Sequence, residues 1–166
     1  WDGWMLWLDR YGWLDLGEVL APAIRIAREG YPVSSEMAYW LTLEADFISS
    51  WPDSARTYLA QGVLPGAGNI IRQPELARTF EALVEAYEGA APDSREAGIQ
   101  AARDYYYRGP LAEEIVAVSD REGGYLTLGD FETFAPEIVE PLAIDYREGL
   151  TIYENPPNSQ GITMLL

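Results

Sequence analysis

The residues best suited to chemistry in this 166-residue chain are few, and the usual ones are missing. There is no Cys and no His, and all 11 basic residues are Arg. Thiol catalysis, disulfides, Cys/His zinc sites and His or Lys general bases are therefore excluded within it. Ser and Thr occur, but an alcohol without a nitrogen base beside it is a weak nucleophile. The adjacent acids Glu113 and Glu114 fall in helical sequence, where neighbours diverge by about 100° and cannot converge on one substrate atom. The stretch Gly62–Asn69 carries Gly62, Gly66 and Gly68, yet no Lys follows it and no strand precedes it, so it reads as a turn-rich connection and not a phosphate cradle. Tyr105, Tyr106 and Tyr107 read as a core or interface wedge, with a stacking platform for sugars or bases as the sharper alternative. No Asp-x-Asp-x-Asp-Gly calcium loop is present.

Composition narrows the partners. A formal net charge of −16, from 27 acids against 11 Arg, opposes binding to phosphate backbones and to anionic membrane surfaces. The acids are scattered, which reads as a solvated surface rather than a cation trap. Hydrophobic residues make up 48%, enough for a packed core. No apolar run reaches the roughly 18 residues that a membrane span requires. The opening run Trp1–Leu8 is too apolar for a solvated terminus, and Ile162–Leu166 stops as an apolar segment begins, so a piece of a longer protein is expected.

The periodicity predicts a chain of helices. One spans residues 1–12, with Trp1, Trp4, Met5 and Leu8 periodic and Gly12 as its stop. A second follows Asp15, has Pro22 in its first turns and ends at Gly30; a third is capped by Ser34 or Ser35, with Met37, Trp40, Leu41, Phe47 and Ile48 on its buried side. Trp51-Pro52-Asp53 breaks that helix and starts a short one. Pro74 opens another helix, ended by Gly89, and two more cover Ser94–Arg108 and the stretch from Leu111 to Gly123. Thr127 with Asp130 resembles a capping box. Beyond residue 135 the pattern turns extended: a hairpin turns at Arg147-Glu148-Gly149, a rigid Asn155–Gly161 loop follows, and an apolar helix begins. The expected fold class is α+β, predominantly α. Residues 1–135 form its helical part, and residues 136–166 carry the hairpin, the Pro-Pro loop and the start of the next helix, all within one parent domain.

Several ordered stretches resemble γ-glutamyltranspeptidases. They are Gly3-Trp4 with Tyr11-Gly12, Leu20–Ser34, Gln73–Phe80, Tyr107-Arg108-Gly109 with Ala112–Ile115, Gly123–Thr127 with Asp130-Phe131, and Pro141-Leu142 through Asp145-Tyr146-Arg147 to Pro156–Gly161. Two departures stand out: Asn158 and Gln160 replace the family's usual Ser and Gly in the closing loop, and an insertion spans about Ala90–Arg103. Both look like a broader branch of the family and bear on substrate choice more than on reaction class.

The resemblance implies an N-terminal-nucleophile hydrolase with an αββα sandwich, made as a zymogen that cleaves itself into two subunits. A new N-terminal Thr would attack the γ-glutamyl amide with its own amine as base, and the acyl-enzyme would pass to water or to an amine, as in glutathione breakdown. That Thr would lie downstream, and the Arg that grips the substrate carboxylate upstream. No catalytic, substrate-binding or metal residue and no cofactor is therefore expected here, and the partners expected are the small subunit from the same precursor and an amide substrate. An acylase of the same superfamily acting on another amide, and a non-catalytic helical interaction module, are the alternatives.

Overall fold

The computed structural model describes residues 1–59 and 62–166 and has the α+β composition expected, with helices dominant. The chain divides into two compact units, Trp1–Phe134 and Ala135–Leu166.

In the first unit, α1 (Asp2–Tyr11), α2 (Leu16–Glu29), α6 (Pro74–Ala90) and α7 (Arg95–Tyr107) make the main core. Met5, Leu16, Tyr87, Ile99 and Ala102 are buried together there, and α6 packs against both α2 and α7. The α6–α7 contact is close because residue 98 is Gly: a Cβ there would stand 2.9 Å from the Tyr87 ring. Local sequence sets the helix starts. The Asp15 carboxylate accepts from the Glu18 amide at 2.7 Å while the Glu18 carboxylate accepts from the Asp15 amide at 3.1 Å, a reciprocal capping box for α2. Ser34, not Ser35, caps α3 (Ser35–Leu43), and Ser94 caps α7.

Three local expectations are corrected. Pro22 is the seventh residue of α2, inside the helix and not at its opening. Gly89 does not stop α6, which runs on to Ala90. Trp40 and Phe47, expected on the buried side of the third helix, are 52% and 64% exposed. That helix is broken at Glu44 into α3 and α4 (Ala45–Ser50); its inner side places Met37, Ala38, Leu41 and Ile48 on a second, smaller core with Val33 and Ile71. Apolar residues occur around the whole circumference of this arm, so periodicity cannot choose its inner face.

A two-residue antiparallel ladder, β1 (Tyr31–Pro32) with β2 (Ile70–Ile71), ties the end of α2 to the start of α6. Gly30 makes it possible, with φ at +97° and its α-carbon so close to β2 that a Cβ would collide with the Ile70 side chain. Between them run α5 (Pro52–Tyr58) and the Gly62–Asn69 connection. The chain then continues through α8 (Pro110–Arg121) to α9 (Leu128–Thr133), where Thr127 and Asp130 form the capping box their spacing suggests.

The second unit is an antiparallel hairpin, β3 (Leu142–Arg147) with β4 (Leu150–Glu154), pairing Ala143 with Tyr153 and Ile144 with Ile152. Its short α10 (Gly161–Leu165) packs against both strands.

Candidate functional site

The groups that could act chemically are dispersed, and each can be followed to its place. Glu113 and Glu114 are exposed on α8. In the Gly62–Asn69 connection, the Gly66 amide donates to the Asn69 side chain at 2.9 Å and the Gly68 amide to the Val33 carbonyl at 2.8 Å. Those amides hold the turn and are not offered to a phosphate. Among the described residues no group of three or more carboxylates could hold a metal ion.

The tyrosine cluster is a packing wedge. Tyr106 stacks on Trp1 with ring centroids 5.9 Å apart, and Tyr107 stacks on Phe134 at 5.6 Å. Tyr107 also accepts a hydrogen bond from the Asp2 amide at 3.2 Å, and burial pushes its phenol above the ordinary tyrosine range.

The strongest polar constellation joins residues more than a hundred positions apart. Asp2, 1% exposed, receives a bidentate ion pair from Arg103, which is 31% exposed and lies on α7. The Asp2 carboxylate in turn holds the Arg103 guanidinium above its already high ordinary pKa. At the other end of α1, Arg95 donates to the carbonyls of Leu8 at 2.8 Å and of Gly12 and Leu14 at 3.0 Å. A cation at the C-terminal carbonyls of a helix also interacts favourably with the negative end of its dipole. Helix α7 therefore grips α1 at both ends, through Arg95 in its first turn and Arg103 two turns further on. Spacing gives no hint of this clamp. Only the composition does, since an acid in an apolar run needs a cationic partner when buried.

In the second unit, the Asn155–Gly161 loop is closed on itself. Ser159 donates to the carbonyls of Asn155 and Pro156 at 3.0 and 3.1 Å, and accepts from the Gly161 amide at 3.1 Å. Its hydroxyl is thus occupied by backbone. Asn158 takes φ of +100°, where Asn is tolerated better than most side chains.

No nucleophile with a base beside it is assembled among these groups; what they build is a braced helical layer with a hairpin unit. A model of the gamma-glutamyltranspeptidase family matches residues 1–166, so the chain belongs to that family. It is 33% identical over 165 residues to the glutathione hydrolase-like YwrD proenzyme of Bacillus subtilis, covering 99% of this chain and 28% of that protein. It is 30% identical over 152 residues to the oxamate amidohydrolase proenzyme of Klebsiella pneumoniae, covering 92% of this chain and 26% of that one. Among solved structures, a cephalosporin acylase from Bacillus halodurans superposes with a TM-score of 0.79 at 36% identity, over 99% of this chain and 29% of that chain. The chain spans about a quarter of the length of the curated relatives it matches.

Proposed function

We propose that this chain is the helical scaffold of an amide-cleaving enzyme whose reacting groups lie in other parts of the same protein. In this reading the complete protein is a precursor that cuts itself into two subunits, the new N-terminal Thr attacks a γ-glutamyl amide, and the acyl-enzyme is released to water or to an amine. Residues 1–135 and 136–166 then belong to one parent domain, an αββα sandwich. The observation that carries the reading is the family match along all 166 residues.

The acyl donor is the finer question. The relatives' names include a glutathione hydrolase-like protein, an oxamate amidohydrolase and a cephalosporin acylase. What those substrates share is an amide with a carboxylate nearby. The γ-glutamyl amide is our first choice, and an acylase acting on another such amide is the second, favoured by the 36% identity to the cephalosporin acylase.

The test is to express the complete open reading frame and follow its chain composition on a gel. Two fragments are expected to replace the precursor, together with release of chromophore from a γ-glutamyl anilide. A γ-glutamyl substrate that is inert while a different amide turns over would select the second reading. An uncut precursor inert toward both would overturn both.

A further inference from the structure

In the first unit, a cleft of about 370 Å³ opens between α5 and β2, within the range of sites that hold small molecules. Its lining is unusual for this chain. There are 27 Asp and Glu in the sequence, and none of them lines it; two of the 11 arginines, Arg56 and Arg72, do. The remaining walls are largely apolar, with Val63, Leu64, Ile70 and Ile71 prominent.

We propose that this cleft binds an amphipathic anion, a carboxylate carried on an aliphatic body. The head would face the guanidiniums. Arg72 has no carboxylate within 4.0 Å among the described residues, and Arg56 spends one terminal nitrogen on Asp53 at 2.8 Å, leaving the rest of its fork open. A guanidinium fork matches a carboxylate bidentately, and such charge-assisted bonds are stronger than neutral ones. Loop amides do not compete for the anion, because those of Gly66 and Gly68 are already used inside the turn. The body would lie on the aliphatic walls, which favour a ligand with several methylenes over a bare ion. Two sources share this chemistry, a free aliphatic acid and the carboxyl end of a peptide with an apolar last residue. The proposal is independent of the amidase reading.

The experiment titrates the complete protein by calorimetry with octanoate, with a short peptide ending in Leu, with the same peptide amidated, and with octylamine. Saturable binding of octanoate is expected, with none of octylamine. Binding of the free-acid peptide but not its amide would identify a peptide end as the natural source; binding of octanoate alone would identify a free acid. Arg72→Gln should weaken binding at least about tenfold, the size expected for losing a charge-assisted hydrogen bond. Val63→Asp places a carboxylate at an exposed wall position, leaves both arginines in place and should abolish binding. No saturation by either acid, or octanoate affinity unchanged in both variants, would overturn the proposal.

Discussion

Helix α1 and the α3–α4 arm pose the same problem and solve it differently. Each carries apolar residues on two sides: α1 buries Met5 while Trp4 and Trp7 stay exposed, and the arm buries Leu41 while Trp40 and Phe47 stay exposed. Helix α1 is nevertheless fixed by polar bolts at both ends, the Asp2–Arg103 pair and the Arg95 contacts to three carbonyls. The arm has only a small apolar cluster beneath it and breaks at Glu44. Apolar burial alone leaves a helix free to slide or bend, whereas directional bonds at its two ends fix its register.

The largest effect should come from breaking the α1 clamp asymmetrically. Arg103→Ala leaves a carboxylate uncompensated in a nearly water-free position and should cost about 3–4 kcal/mol. Asp2→Ala leaves a guanidinium that can still reach water and should cost less, about 2 kcal/mol. Urea unfolding of the two variants tests the order, and equal costs would show that both partners are equally cut off from solvent. Next in size are the cavities. Leu83→Ala on α6 should lose about 3 kcal/mol and Leu41→Ala in the arm about 2 kcal/mol, because the smaller cluster can collapse around the void. A reversed order would show that the arm is the more tightly packed region.

Smaller still is the outer face of the arm. In this chain, Trp40→Lys with Phe47→Lys should shift stability by no more than about 0.5 kcal/mol, as for exposed sites generally. A loss well above that would mean the stripe is packed against something. The least effect is at the α9 cap. The Thr127 hydroxyl, and then its backbone amide, hold the Asp130 carboxyl below the ordinary aspartate range. A carboxyl depressed in the folded state stabilises above its unfolded pKa, and that contribution disappears as pH falls through the folded value. Protection of the Thr127 amide against hydrogen exchange should therefore fall on acidification, and Asp130→Asn should flatten the profile.

Much of the helical order was legible because caps are local. Asp15, Ser94, Thr127 and the prolines at 52 and 74 each mark a helix start within a few residues. What lay beyond reach was non-local. The β1–β2 ladder joins residues about forty apart through only two pairs, and the Asp2–Arg103 pair joins positions 101 apart, so neither leaves a periodic trace. The inner face of the α3–α4 arm is legible only in part: Met37, Leu41 and Ile48 lie on it as expected while Trp40 and Phe47 do not, since Tyr39, Trp40, Leu41 and Leu43 offer apolar choices in nearly every direction. At the level of function, residue types could state only which chemistry this chain lacks; the family came from ordered motifs.

On the proposed reading, this chain braces a catalytic centre built by other parts of the same protein. The direct measurement is amide hydrolysis by the complete protein and, in parallel, by residues 1–166 alone. Chromophore release from a γ-glutamyl anilide or a related amide by the complete protein, with none from the chain alone, is the expected result. Turnover by residues 1–166 on their own would contradict it.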